Sequence, residues 1–325
     1  MYFVAKLGRE DSETLIQPQR CTRCSNSSIY NRAYSGEALC GSCFCSSIEE
    51  KVKRAISKYG LLKHGDKVGV AVSGGKDSLT LLRILSEMCR HHASKIFAIT
   101  IDEGISSYRE EAIDLCKEFT GELDIPHCVV SFKELYGFSL DNVIKSRRVQ
   151  GASACSICGI LRRRAIDIAA RSLGVDVIAT AHNLDDMLQT FMINLLNGDM
   201  ARVKWFDSAI KPKEEFVVRR VRPLMDIYEK EIAMYAFLKN TPFQTVSCPY
   251  MNEGIRSEIR SMLNALEEEH PGIKYSTLNS AIRISKSIAI DGRELKLCKM
   301  CNFPSSGELC SVCKTIEMVK GNMYI

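Results

Sequence analysis

From residue 67 onward the chain alternates short apolar runs with longer amphipathic ones. "KVGVAVS" (67–73) precedes "DSLTLLRILSEMCR", and "KIFAITI" (95–101) precedes "SSYREEAIDLCKEFT". "PHCVVSF" (126–132) leads into a longer polar and helical region, and "VDVIATA" (175–181) precedes "LDDMLQTFMINLLNG". Apolar runs of this length, rich in β-branched residues, read as strands buried on both faces, and the intervening stretches read as crossover helices. The pattern predicts an α/β fold with a doubly wound parallel sheet. Ahead of it, "SSIEEKVKRAISKYGLL" (46–62) opens on a serine cap and aligns Ile48, Val52, Ile56 and Tyr59, as a connecting helix would. Residues 223–297 read as mainly helical, with a break at "TPFQTVSCPY". The expected organisation is an N-terminal module over 1–47, a linker helix over 48–62, a nucleotide-binding domain over 63–245, a helical extension over 246–297 and a C-terminal module over 298–325.

Composition changes this picture in two places. No apolar run approaches the ~20 residues that span a bilayer, and "MYFVAKLGRE" lacks the features of a signal peptide, so a cytoplasmic location without membrane contact is expected. The formal net charge is only +5, but its distribution is uneven. Seven Lys/Arg against one acid fall between Lys145 and Arg171, and seven against three between Arg202 and Arg222. Two such segments favour a polyanionic partner.

The turn after the first strand is "SGGKDS", Ser73-Gly74-Gly75-Lys76-Asp77-Ser78. In a doubly wound sheet this turn faces the carboxyl edge, where ligands bind. Glycines let backbone N–H groups approach phosphate oxygens, the helix dipole favours their charge, and Lys76 and the serine hydroxyls add donors. The dinucleotide pattern GxGxxG is absent, and the Walker pattern fails because Asp77 follows the lysine and Val70 stands at the upstream glycine position.

The fifteen cysteines supply a second kind of chemistry. Cys21-x2-Cys24 and Cys40-x2-Cys43, fifteen residues apart, form a four-thiolate pattern suited to zinc, with Cys45 a competitor for the place of Cys43. Cys298-x2-Cys301 and Cys310-x2-Cys313, eight residues apart, form another. Segments so short and polar need metal binding to fold, a contribution on the order of 10 kcal/mol. Cys155 and Cys158 form a third CxxC without a second pair nearby. Cys248, before a proline, is the distant candidate ligand. Three thiolates on a four-iron cube would leave one iron open to sulfide or substrate; a redox CxxC with Cys248 buried and inert is the other reading. Cys89, Cys116 and Cys128 fall on helix or strand positions and read as core.

The SGGxDS loop resembles that of the PP-loop ATP pyrophosphatases, the adenine nucleotide alpha hydrolase-like proteins. The resemblance implies cleavage of ATP between the α and β phosphates, with AMP activating a carbonyl or carboxyl oxygen. It places Asp102 and Glu103 of "ITIDEGI", and His182, Asn183, Asp185 and Asp186 of "ATAHNLDD", at the same edge, with Asp102 and His182 on the adenine nucleotide. The PP-loop, the mid-chain "CSICG", the later Cys-Pro and the terminal zinc ribbons together resemble the TtuA/TtcA group of tRNA 2-thiolation enzymes, over nearly the whole chain. The ending "CSVCKTIEMVKGN" is similar to that of the archaeal and eukaryotic wobble-uridine thiolases.

This resemblance implies a [4Fe-4S] cluster on Cys155, Cys158 and Cys248, two Zn2+ ions, and ATP with Mg2+. Asp186 would lie near the reacting centre. Some members carry a lysine where this chain has Arg162, and arginine clamps phosphate but is a poor proton shuttle. The implied reaction is adenylation of the C2 oxygen of a tRNA uridine, wobble rather than T-loop, followed by sulfur insertion; a persulfide on Cys155 or Cys248 is the competing sulfur route. Implied partners are tRNA and a sulfur donor (free sulfide, a thiocarboxylated ubiquitin-like protein or a desulfurase relay), with a homodimer as the assembly. An amidotransferase or ligase acting on a small carboxylate would leave the mid-chain cysteines idle. A non-catalytic zinc-ribbon tRNA-binding protein would have no use for an intact SGGKDS.

Overall fold

The computed structural model describes residues 19–90, 94–145, 153–204, 206, 217–251, 254–289 and 296–321. Arg147, Arg148, Lys211 and Lys213 of the basic segments, and the "MYFVAKLGRE" segment, lie outside them. The chain divides into two compact units, Met1–Phe44 and Cys45–Ile325.

In the first unit, β1 (Tyr30–Arg32) and β2 (Glu37–Leu39) pair antiparallel. Glu37 draws Arg32 and Arg23 together, at 2.8 and 3.1 Å. The Tyr30 and Phe44 rings meet at 4.7 Å.

The second unit contains most of α1 (Gly41–Tyr59) and then alternates β3 (Lys67–Ala71), α2 (Lys76–Cys89), β4 (Lys95–Asp102), α3 (Arg109–Glu122) and β5 (His127–Ser131). Two short helices follow, α4 (Phe132–Tyr136) and α5 (Leu140–Lys145), then α6 (Ala154–Ser172), β6 (Val177–Ala179), α7 (Leu184–Leu196), α8 (Met200–Lys204) and β7 (Arg219–Val221). Helices α9 (Glu229–Leu238), α10 (Ile255–Glu269) and α11 (Ile273–Ser287) follow; β8 (Lys296–Leu297), β9 (Pro304–Ser305) and α12 (Ser311–Gly321) close the chain.

The central sheet has the order β5-β4-β3-β6-β7 and is parallel throughout. Chain order therefore runs outward from β3 in one direction through β4 and β5, and in the other through β6 and β7. Loops leaving β3 and β6 diverge, and a crevice opens between them at the carboxyl edge. SGGKDS leaves β3 and HNLDD leaves β6, so both motifs meet at this switch point. Val68, Val70, Ile99 and Ile178 bury the strands on both sides, which is why they read as unbroken apolar runs.

Three features depart from the sequence pattern. Helix α1 buries Ile48, Val52 and Ala55, while Ile56 and Tyr59 are half-buried. Salt bridges Lys51–Glu231 (2.9 Å) and Lys239–Glu49 (3.0 Å) tie α1 to α9 and the residue that follows it, so this connecting helix is packed. The fifth strand, β7, is three residues of "RRV" and looked like part of a charge run, because an edge strand needs few apolar positions. Cys89 and Cys116 are buried as expected, whereas Cys128 is half-buried. Among the described residues, no helix is long and apolar enough to cross a membrane.

Candidate active site

The phosphate turn is held by its own side chains. Ser78 Oγ accepts from Ser73 N–H (3.1 Å) and donates to Gly75 C=O (2.9 Å). Gly74 has φ +87°, and a Cβ there would lie 2.9 Å from Ala112 Cβ, so only glycine fits. Its carbonyl accepts from Gln244 N–H at 2.9 Å. Gly75, the N-cap of α2, offers no side-chain cap, which leaves the first-turn N–H groups available to an anion. Lys76 ion-pairs with Asp77 at 3.1 Å and with Glu229 at 2.8 Å.

In front of this turn is a cavity of about 310 Å³. Ile99, Ile101 and Ile166 give it an apolar floor; Ser73, Asp77, Ser78, His182, Asp186, Arg162, Arg163 and Arg220 supply its polar wall. This combination suits a purine with a charged tail. A second cavity of about 360 Å³ is lined by Asp185, Tyr228, Glu267 and Lys274. Its polar groups satisfy one another: Lys274 bonds Asp185 and Asn264, and Tyr228 OH donates to Glu267 at 2.8 Å. It is structural.

The charges around the first cavity are arranged for an anionic ligand. His182 opens to the cleft, but dehydration in the concave wall and the nearby Arg222, Arg162, Arg220 and Arg256 push its pKa down to about 3. It is therefore a neutral imidazole, with Nδ1 2.9 Å from Thr180 Oγ1. Burial, with Arg220 second, also lowers the pKa values of Arg163 and Arg222, as expected of cations crowded without enough counter-charge. Asp186 behaves oppositely: burial, and the charges of Asp77 and Glu229, raise it to about 6 despite a bond from Asn183 N–H. Asp77 is likewise raised, by burial first and with Lys76 opposing. A carboxylate pair destabilised in this way fits a divalent cation, for which the donor set is hard oxygen.

The mid-chain cysteines converge on one wall. Cys155 and Cys158 occupy the first turns of α6, which Ser153 caps through Ser156 N–H at 3.2 Å. Cys155 Sγ–H donates to Tyr250 C=O at 3.3 Å, and Tyr250 OH donates to Asp141 at 2.8 Å, anchoring the loop that carries Cys248. Cys158, Cys248 and Tyr250 pack on one apolar cluster. Burial, with the charges of Glu103, Cys248 and Cys155 and against that of Arg162, pushes the Cys158 thiol up to about 12. Among the described residues, the three sulfurs are not part of any group that closes to within 4.8 Å. Three cysteine thiolates are a donor set that suits iron. Gly159 and Arg162, on the same helix, line the nucleotide cavity.

Two other sets do close: the sulfurs of Cys21, Cys24, Cys40 and Cys43, and those of Cys298, Cys301, Cys310 and Cys313, lie within 4.8 Å of one another. Cys45 is buried and stands outside the first set. A bond to Ser42 leads the interactions that lower Cys40 to about 6, while Cys24 leads those that raise Cys43 to about 12. Four thiols that split this way cannot all ionise together without a cation. In the second set, Cys310 N–H donates to Cys298 Sγ (3.3 Å) and Cys313 N–H to Cys310 Sγ (3.4 Å). Arg164 of α6 donates to both Cys301 and Cys310 at 3.6 Å and lies 3.3 Å from the Phe303 ring centroid.

Other predicted residues have local tasks. Asp102 accepts from Gly104 N–H at 2.8 Å and does not line the cavity. Asn183 caps α7 together with Asp186. Asp185 accepts from Glu229 N–H at 2.7 Å. Arg109 and Glu229 escaped the sequence reading, and Arg220 was read only as one charge of a basic segment. Arg109 looked like an ordinary charge at a helix start, and only its spatial neighbours give it away.

The fold and site define an ATP-binding α/β protein with a PP-loop. Residues 45–266 match the family model described as the PP-loop domain. The tRNA 2-thiolation protein NcsA of Haloferax volcanii is 35% identical over 319 residues, covering 92% of this chain and 99% of that protein. Cytoplasmic tRNA 2-thiolation protein 1 of Drosophila erecta is 34% identical over 303 residues, covering 92% and 88%. The solved structure of the U34-tRNA thiolase NcsA from Methanococcus maripaludis, with its [4Fe-4S] cluster, superposes with a TM-score of 0.82 at 31% identity, covering 96% of this chain and 98% of that one. The chain belongs to the PP-loop family, in its tRNA 2-thiolation branch.

Proposed function

We infer that the protein is a tRNA-uridine 2-sulfurtransferase acting on the wobble uridine in the cytoplasm. The observation that carries this reading is that one helix, α6, presents Cys155 and Cys158 at its start and Gly159 and Arg162 to the nucleotide cavity. A nucleotide and a sulfur centre can then serve one base.

The C2 oxygen of uracil is a poor leaving group and must be activated. ATP would lie with its phosphates on residues 73–78 and its adenine on the isoleucine floor. The uracil O2 attacks the α-phosphate, the bond to the bridging oxygen breaks, and pyrophosphate leaves toward Lys76 and the open N–H groups of α2. Asp186 would take the N3 proton of uracil. Asp77 would hold the Mg2+ that neutralises phosphate charge. Arg162 and Arg163 face the growing charge at the α-phosphate, and His182, neutral, donates or accepts without repelling them. Sulfide then replaces AMP at C2.

Cys155, Cys158 and Cys248 would hold an iron–sulfur cluster with one iron free of protein ligands, which supplies a place to keep and deliver sulfide. Uridine, ATP and hydrosulfide balance against 2-thiouridine, AMP and pyrophosphate with no change in oxidation level. A cysteine persulfide would require a further reductant, so sulfide-level sulfur is the simpler donor. The two four-cysteine sets would each bind zinc. Arg220 and Arg222 would meet tRNA phosphates, and the target base must leave its stack to enter.

Nucleoside mass spectrometry of tRNA from a strain lacking the protein tests this reading. Loss of 2-thiolated wobble uridine is expected; unchanged thiolation, or loss confined to the T-loop, contradicts it.

A further inference from the structure

A buried charge relay runs between the two halves of the site. Glu103 follows β4 with 2% of its surface exposed, and its backbone is pinned: Leu140 N–H donates to its carbonyl at 2.8 Å. Gly104, next to it, has φ +69°, and a Cβ there would lie 2.5 Å from Ser139 Cβ, so only glycine fits this turn. One carboxylate oxygen pairs with Arg109 Nε at 2.9 Å, and the other with Arg162 Nη1 at 3.5 Å. Arg109, 4% exposed, donates through Nη1 to the carbonyl of Ser73 at 2.8 Å and through Nε to Ile101 C=O at 2.8 Å. Arg162 stands one turn beyond Cys158 and lines the nucleotide cavity, with its side chain half exposed. The relay is therefore Ser73 carbonyl, Arg109, Glu103, Arg162.

We propose that Glu103 is a positioning residue for sulfur transfer: it fixes Arg109 behind the phosphate turn and Arg162 beside Cys158, so that the nucleotide loop and the sulfur centre share one rigid frame. This rests on the functional reading above and extends it. Two guanidinium groups share a single buried carboxylate, so removing its charge leaves both without their counter-ion. Arg109 keeps its two carbonyl partners but loses the ion pair that fixes its guanidinium behind the phosphate turn. Arg162 loses its restraint and swings on its long stem into the cleft. A planar fork can hold Glu103 on one side and a phosphate on the other, whereas a lysine ammonium lacks that two-sided reach.

The test uses the full-length, iron-loaded chain and three variants: Glu103→Gln, Arg162→Lys and the double substitution. Turnover and KM for ATP come from AMP and 2-thiouridine formed with tRNA; iron per chain, thermal midpoint and calorimetric ATP affinity (with and without iron) are measured alongside. Each single substitution should lower kcat by about 10²-fold through misplacement of Arg162. Arg162→Lys should leave iron content, thermal midpoint and KM for ATP near wild type. Glu103→Gln should also weaken ATP binding several-fold through Arg109, even in the iron-free chain. The double variant should be no more than about twofold slower than the worse single, because both break one contact.

Multiplying losses in the double variant, undiminished kcat in either single, or a rate that falls only in step with iron and thermal midpoint would each overturn the proposal. If Glu103→Gln does not fold, Arg162→Lys decides on the same kcat criterion. A wild-type protein that binds ATP but does not thiolate tRNA contradicts the functional reading instead, and the calorimetric comparison of Glu103→Gln then decides the role of Glu103.

Discussion

At Gly74 the backbone turns through φ +87° with Ala112 close behind it, and Gln244 N–H bonds its carbonyl. Gly74→Ala must either push α3 away or abandon the turn, at a cost of ~1–3 kcal/mol for the backbone alone. The expected outcome is a lower thermal midpoint and an ATP affinity reduced at least ~10-fold, measured by calorimetry; unchanged affinity would mean that the turn does not hold phosphate. This residue and its neighbours were legible in the sequence because SGGKDS is a contiguous motif whose residue types have a direct physical purpose. Arg109 and Glu103 were harder to assign, since their partners Ser73 and Arg162 are dozens of residues away. Glu229, which meets Lys76, was invisible for the same reason.

Helix α6 joins the cysteine wall to the nucleotide cavity. Cys155 and Cys158 occupy its first turns, Arg162 reaches the nucleotide cavity, and Arg164, two residues further on, grips Cys301 and Cys310. The sequence shows the CxxC and the "RRR" but not that they form one continuous helix, because three adjacent arginines mask the 3.6-residue period. β7 was missed in the same way: its arginines bond Gly60 C=O (3.1 Å) and Asp167 (2.8 Å) rather than solvent alone. Strands β3, β4 and β6 were legible because their burial leaves a mainly apolar run, and the half-buried edge strand β5 because Val129 and Val130 keep its short run β-branched. Arg164→Ala removes two N–H···S bonds and a positive charge from a four-thiolate site. Loss of such outer partners costs metal sites roughly 10–100-fold in affinity. Zinc should leave the C-terminal site faster under chelator challenge while the N-terminal site is unaffected; equal release from wild type and variant would refute the role.

On the scale of the whole molecule, stability and catalysis draw on different residues. His127 on β5 bonds Thr100 Oγ1 at 2.8 Å through Nε2, and its buried Nδ1 has no partner among the described residues. Burial, helped by Lys117, holds its pKa below the ordinary value of 6.5. The unfolded chain therefore binds this proton before the folded one does. The contribution is fully present above pH 6.5 and is lost as pH falls toward the depressed folded value. Thermal midpoints taken between pH 7 and 5 should fall less steeply for His127→Gln than for wild type; parallel curves would exclude the histidine as a source of acid sensitivity.

The proposed catalysis depends instead on the switch point of the sheet, where motifs from two diverging strands and one cysteine-bearing helix meet. The most direct measurement is an anaerobic reaction of the iron-loaded protein with unmodified tRNA, Mg-ATP and sulfide, quantifying all products. Equal amounts of AMP, pyrophosphate and 2-thiouridine are predicted from wild type; Cys248→Ala should release pyrophosphate and form no 2-thiouridine, with AMP freed only where water replaces sulfide at C2. Thiolation without ATP cleavage, or at the wild-type rate in Cys248→Ala, would contradict the account.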